Sequence, residues 1–205
     1  MMKLYRFPLS TNVERVALAL GAKGLSVESV QVDPDDRTVV RVASGQDLVP
    51  VIDDDGTIVC DSMEIVRHLE MRYPDPPLYP AATARRTEML LFIDWFNRVW
   101  KRPPNEICTE MGKEHPDQAR ITRLGEAMAG YLGLFENMLD GRAHLMGEDF
   151  SAADCAAWPF LRYGLSPPRN DGYLFHRILA EHQALGDDYP RLAAWIRRVG
   201  RRPMA

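Results

Sequence analysis

Two short segments of the sequence bring hydroxyl and carboxylate side chains to the start of a helix, where an anion can be held. In Phe7-Pro8-Leu9-Ser10-Thr11-Asn12-Val13 a strand gives way to a helix at Ser10 and Thr11. Unpaired amides and the positive end of the helix dipole favour negative charge there, and a thiolate so placed ionises more readily than a free thiol. The same residues also read as a plain cap. In Thr11-x-x-Glu14 the two side chains would satisfy backbone donors, leaving Ser10 just outside the helix with its hydroxyl turned toward a ligand. Asp61-Ser62 opens a later helix in the same fashion, and Asp61-x-x-Glu64 is again a capping pattern. As a ligand site the pair offers more: the Ser62 hydroxyl and amide suit a carboxylate and Asp61 suits an ammonium, so together they could hold the head of an amino acid.

A third feature is Val49-Pro50, preceded by Gly45-Gln46-Asp47-Leu48. Proline cannot donate to a ladder and belongs at a strand end or edge. A cis bond at that point would expose the Val49 amide and carbonyl to an extended peptide ligand, in the manner of strand addition. Phe150-Ser151-Ala152-Ala153-Asp154-Cys155 reads as a capping box with a hydrophobic staple, a folding element without chemistry.

These residues need elements to hold them. Lys3 to Phe7 alternates like a short strand. Val13, Val16, Ala17 and Leu20 fall at helical spacing, and Gly24 closes the run. Val27, Val30 and Val32 form a second strand. Arg37 to Ser44 reads as either a short helix or an irregular stretch, its valines weakening the helical reading. Val49 to Ile52 and Thr57 to Val59 flank Asp53-Asp54-Asp55-Gly56 as a hairpin, and Ile65, Val66 and Leu69 begin another helix. The order βαβ(α)ββα predicts a small sheet with helices on its faces.

Prolines crowd Pro74 to Ala84, which marks a linker. Beyond it helical periodicity runs over Arg85 to Trp100, Ala119 to Leu139, Ala152 to Tyr163, Tyr173 to Leu185 and Arg191 to Arg198. Pro103-Pro104 is read as breaking the first of these runs and Pro167-Pro168 as separating the third from the fourth. The expected division is therefore an α/β domain over residues 1–76, a linker over 77–84 and an all-helical domain over 85–205.

The bulk numbers exclude several classes. With 25 basic and 29 acidic residues and a net charge of −4, the chain offers no broad basic surface, so no nucleic-acid partner is expected. No stretch reaches the ~18 apolar residues of a membrane span and none reads as a signal peptide, so no membrane association and a cytoplasmic location are expected. Three separated cysteines, Cys60, Cys108 and Cys155, form neither a disulfide framework nor a C-x-x-C site, and no metal is expected.

Taken together, Pro8-Leu9-Ser10-Thr11-Asn12-Val13, Val49-Pro50-Val51-Ile52 with Asp61-Ser62-Met63-Glu64-Ile65, and Gly147-Glu148-Asp149-Phe150-Ser151-Ala152-Ala153-Asp154 resemble the soluble glutathione S-transferase family, and Tyr189 to Trp195 with Arg201-Arg202-Pro203 resembles its last helix. The resemblance covers essentially the whole chain. It implies a thioredoxin-like N-terminal domain and a C-terminal helical bundle, with glutathione as co-substrate and no metal. It implies a serine-type site in which Ser10 donates to the glutathione sulfur, with Thr11 beside it. A cis Val49-Pro50 would pair the Val49 backbone with the cysteinyl unit, and Asp61 and Ser62 would take the γ-glutamyl ammonium and carboxylate. Arg37, Arg41 or Gln46 would serve the glycine carboxylate. The electrophile pocket would lie between the domains, drawing on Leu9, Phe96, Trp100, Arg102 and Tyr163. The implied activity is conjugation of glutathione to a hydrophobic electrophile by a homodimer. Isomerisation, dehalogenation, ether cleavage, or a non-catalytic binding role are the alternatives. Tyr5, inside the first strand, is expected to point away from the site.

Overall fold

The computed structural model describes residues 1–166 and 172–205, so the break expected at Pro167-Pro168 lies outside the described residues. The chain forms two compact units, Met1–Pro80 together with Arg201–Ala205, and Ala81–Gly200. The last five residues thus belong with the first unit and not with the helices that precede them. Ala205 donates its amide to the Ala17 carbonyl at 3.2 Å and accepts from Arg6 Nη1 at 2.9 Å. Gly21 is required for this return, since a Cβ there would stand 2.1 Å from the Pro203 carbonyl oxygen.

The first unit runs β1 (Lys3–Arg6), α1 (Thr11–Ala22), β2 (Glu28–Gln31), α2 (Thr38–Ser44), β3 (Val51–Asp54), β4 (Thr57–Cys60) and α3 (Ser62–Arg72). The sheet order is β2-β1-β3-β4, with β1 and β2 parallel and the other neighbours antiparallel, which is the thioredoxin-like arrangement. The segment left open between helix and irregular chain is a helix. Val40 in it is fully buried against Val32 and Val51, and this packing outweighs the weak propensity of its valines. The hairpin turn is tighter than the four residues expected. Asp55 and Gly56, at φ 50° and 92°, make a two-residue turn of the type whose twist suits a hairpin, so Asp53 and Asp54 stay in the strand. Asp54 there accepts from the Tyr73 hydroxyl at 2.9 Å and lies 2.7 Å from His68 Nε2, a contact that holds the Tyr73 proton more firmly than in a free phenol.

Two buried polar ties set the direction of the helices. Arg15 reaches Ser62, and Lys23 reaches Glu70 at 2.7 Å, each across the same sequence separation of 47. Equal separations mean that α1 and α3 run in parallel, so both N-termini lie at one end of the sheet. The Lys23 ammonium also donates to the carbonyls of Tyr73 at 2.7 Å and Pro76 at 3.0 Å. Its three donors are therefore all used inside the fold.

The second unit is helical: α4 (Thr83–Trp95), a π-helical turn over Phe96–Trp100, α5 (Arg102–Met111), α6 (Gln118–Gly130), α7 (Leu132–Met138), α8 (Ala152–Leu161), α9 (Leu174–His182) and α10 (Pro190–Val199). A break falls at Pro103 and Pro104 as expected: the run from α4 ends at Trp100 and a new helix opens at Arg102. The two prolines occupy the first turn of α5, where a missing amide costs nothing because that amide has no helical partner. The run expected over Ala119 to Leu139 is two helices divided at Tyr131. The capping box at the start of α8 forms as expected: Asp154 Oδ2 accepts from the Ser151 amide at 2.8 Å and from its hydroxyl at 2.9 Å. Among the described residues, no helix is long and apolar enough to cross a membrane.

Candidate functional site

Strand register gathers the candidate residues. Val30, Tyr5, Val51 and Cys60 form one row across the four strands. One step beyond that row, β1 runs into the Phe7–Ser10 loop, β3 is preceded by Val49-Pro50, and β4 runs into Asp61-Ser62. Parallel α1 and α3 begin at that same edge. Two helix N-termini and one strand start thus converge within a single unit.

Ser10, not Thr11, is the N-cap of α1. Its Oγ accepts from the Val13 amide at 3.3 Å, while Thr11 is the first helical residue and is only 6% exposed. The expectation that Thr11 caps the helix and leaves Ser10 outside is therefore corrected by one residue. The correction does not remove Ser10 from service to a ligand. A hydroxyl that accepts from an amide keeps its own hydrogen for another acceptor, and the partly exposed Ser10 lies at the helix end where negative charge is favoured.

Val49-Pro50 is cis, and the ladder begins only at Val51, so the Val49 amide and carbonyl stand outside it. Asp61 is the N-cap of α3. Its Oδ1 accepts both the Met63 amide at 2.8 Å and the Glu64 amide at 3.2 Å, which leaves Oδ2 to face a cation. Glu64 turns away to Arg67 and does not complete a box. Ser62 is buried at the first position of α3, with Arg15 Nη1 donating to its Oγ at 3.3 Å.

Backbone conformation marks the same edge. Leu9 at φ 70° and Asp61 at φ 67° are non-glycine residues in a region that side chains disfavour, and each adjoins or begins a helix N-terminus of the site. Strain of about 1–3 kcal/mol persists where surrounding structure enforces it, and such residues cluster at ligand sites. Loss of the α3 cap is expected to be moderate: Asp61→Ala lowers stability by about 1–2 kcal/mol in chemical denaturation, whereas Asp61→Asn, which still caps, stays within about 0.5 kcal/mol of the parent.

The remaining candidates divide. Leu9 is 40% exposed beside Ser10. Phe96 and Trp100 are fully buried in the helical unit, stacked at 4.5 Å and edged by Phe135 and Phe160, so they serve as core. Tyr163 is 2% exposed and stacks on His176 at 4.5 Å, again inside the helical unit. Arg102 is on the surface, paired with Glu106 at 2.5 Å. Tyr5 packs on Val32, Val40 and Val51 and stays away from the loop, as expected. Of the three residues considered for a carboxylate, Arg41 pairs with Asp47 at 2.6 Å and holds that carboxyl below its usual range, while the Gln46 side chain closes on both the amide and carbonyl of Leu48. Arg37 lies with its guanidinium 5.8 Å from the Phe7 ring centre, against the loop that carries Ser10.

Sequence reasoning passed over Arg15, the buried cation behind Ser62. Its signal was available: a single charge stands directly before the apolar run Val16 to Leu20, in a helix with burial on nearly every side.

Comparison with known proteins identifies two family domains along the chain. Residues 4–77 match the family described as glutathione S-transferase, N-terminal domain, and residues 118–198 match glutathione S-transferase, C-terminal domain. FtsZ-localized protein A of Caulobacter vibrioides is 29% identical over 166 residues, covering 75% of this chain and 73% of that protein. Glutathione S-transferase 3 of Zea mays is 29% identical over 218 residues, covering 98% of this chain and 90% of that one. The crystal structure of a glutathione S-transferase from Rhodospirillum rubrum F11 superposes with a TM-score of 0.77 at 25% identity, covering 99% and 89% of the two chains.

Proposed function

Because this chain belongs to the soluble glutathione S-transferase family, we propose that it binds glutathione at the shared edge of its first unit and conjugates it to a hydrophobic electrophile. Asp61 Oδ2 takes the γ-glutamyl ammonium, the Ser62 hydroxyl takes the γ-glutamyl carboxylate, and the Val49 backbone pairs with the cysteinyl unit. Arg37, whose contact reaches the Phe7–Ser10 loop, takes the glycine carboxylate. Ser10 donates to the sulfur. The ionised sulfur attacks an electrophilic carbon beside Leu9, a carbon–sulfur bond forms, and the leaving group departs with its electron pair. Family membership further supports a homodimer.

One observation carries this reading: the capping bond fixes Ser10 Oγ as an acceptor toward Val13, which turns its hydrogen outward at a helix N-terminus. Lowering a thiol pKa by two units requires about 2.7 kcal/mol of preferential thiolate stabilisation, within reach of one charge-assisted hydrogen bond and a helix end.

A second reading has support in the relative named for its localisation with FtsZ: a glutathione-site protein that binds a partner without transferring anything. Isomerisation, dehalogenation and ether cleavage keep the same glutathione contacts and differ in the electrophile. Retention on immobilised glutathione, followed by assay with a generic aryl halide, separates these. The conjugating reading expects retention and turnover above the uncatalysed rate. Retention without turnover of any electrophile favours the binding reading, and no retention ends both.

A further inference from the structure

Within the helical unit by itself, a groove of about 580 Å³ runs along α6 and is bounded by the C-terminal ends of α5 and α9. None of the residues proposed above to hold glutathione lines it. On α6 it follows Ile121, Gly125 and Ala129, whose steps of four place them on one face of that helix. Gly125 is buried, and a Cβ there would stand 2.3 Å from His182 Nδ1, so the imidazole at the end of α9 lies on bare helix backbone. A glycine inside a helix costs about 1 kcal/mol relative to alanine, and this close approach accounts for it. Size and charge then narrow the occupant. Pockets for small molecules span roughly 300–1,000 Å³, which includes this one. Met111, Ile121 and Ala129 offer apolar contact, Glu126 and Glu181 offer carboxylates, and neither lysine nor arginine is among the described lining residues. Glu181 meets Arg177 only at 3.8 Å, with both side chains more than half exposed, and Glu126 forms no ion pair with a described residue.

We propose that the groove bounded by α5, α6 and α9 is a second ligand site, which takes a small organic cation: a primary amine carried on an apolar body. The body lies along Met111, Ile121 and Ala129, and the ammonium faces Glu126 and Glu181. An ammonium has three donors and no acceptor, so one group can serve both carboxylates. The two parts of such a ligand do different work. Carboxylates that stay in contact with water add little to affinity, so most of it comes from the apolar surface removed from water. The carboxylates decide the sign of the charge admitted, because an anion of the same shape is repelled by both. The site makes no use of Ser10, Asp61 or Ser62, and it stands whether or not the chain transfers glutathione.

The test is calorimetric titration of the whole chain with three probes of one shape: tryptamine, tryptophol with a hydroxyl in place of the ammonium, and indolepropionate with a carboxylate. At about pH 8 an ordinary imidazole is uncharged, so His182 adds no opposing cation. Tryptamine is expected to bind about threefold or more tightly than tryptophol, the scale of contacts to exposed carboxylates, and indolepropionate to bind weakest. The preference for the amine should shrink as salt is added. Glu126→Gln is expected to bring tryptamine close to tryptophol while leaving tryptophol binding as in the parent. Ala129→Trp, at an exposed position, fills the groove and is expected to lose both probes while melting as the parent does. Equal binding of the three probes, tighter binding of the anion, or no binding of tryptamine overturns the proposal. So does a Glu126→Gln chain that keeps the full preference, or an Ala129→Trp chain that binds tryptamine as the parent does.

Discussion

Asp154→Ala is expected to lower the stability of the helical unit by about 3–5 kcal/mol, with a fall of roughly 10 °C or more in its thermal midpoint. Asp154 is fully buried, and its carboxylate is the acceptor for four donors: the Ser151 amide at 2.8 Å, the Ser151 hydroxyl at 2.9 Å, the Leu145 amide at 3.1 Å and the Trp195 indole N–H at 2.7 Å. It thereby ties the start of α8 to α10 and to the loop before it. Alanine leaves these donors without an acceptor in a site that water does not reach, and each unsatisfied buried donor costs about 1–3 kcal/mol. The exposed Glu64–Arg67 pair on α3, more than half exposed on both sides, is the control. Glu64→Ala is expected to change stability by less than about 1 kcal/mol. Differential scanning calorimetry of the two variants makes the comparison, and an Asp154→Ala midpoint within 2–3 °C of the parent would remove the carboxylate from the centre of this unit.

Ser10→Ala is expected to lower kcat/KM for conjugation at least tenfold, a loss of about 1.4 kcal/mol or more in transition-state stabilisation. It also removes an N-cap, so a stability loss of about 1 kcal/mol accompanies it. The two effects separate in Ser10→Asp. Aspartate caps a helix as well as serine does but has no hydrogen to offer and repels a thiolate, so activity falls at least as far as in Ser10→Ala while stability holds. Thr11→Ala, at a buried position without the capping bond, should retain most of the activity. A Thr11→Ala chain without activity beside an active Ser10→Ala would reverse the assignment.

What the sequence disclosed and what it hid follow physical lines. Hairpin, strand alternation and capping boxes depend on residues close in the chain, so Asp55-Gly56, Lys3 to Arg6 and Ser151 with Asp154 were legible. The start of α1 was misplaced by one residue because Ser10 and Thr11 are both good caps and only the tertiary path of the loop chooses between them. The break at Pro103-Pro104 was legible, while nothing local told that a new helix would open on the two prolines themselves. Phe96 and Trp100 recur at helical spacing, a pattern shared by a core stripe and a pocket wall, and their stack against Phe135 and Phe160 is visible only in three dimensions. Arg15 and Lys23 went unnoticed for the same reason, since their partners lie 47 residues on. Val49-Pro50 and Asp61-Ser62 were found as separate features. What joins them is strand register, one row through Tyr5, Val51 and Cys60.

If Ser10 serves a thiolate, glutathione bound to this chain must ionise more easily than glutathione in water. A pH titration of the thiolate ultraviolet absorbance of the bound tripeptide reads this directly. In the parent chain the bound thiol is expected to titrate about two pH units below the free thiol, and in Ser10→Ala it should return most of the way to the free value. A bound thiol that titrates with the free one, or parent and Ser10→Ala curves that coincide, would contradict a serine-served sulfur at this edge.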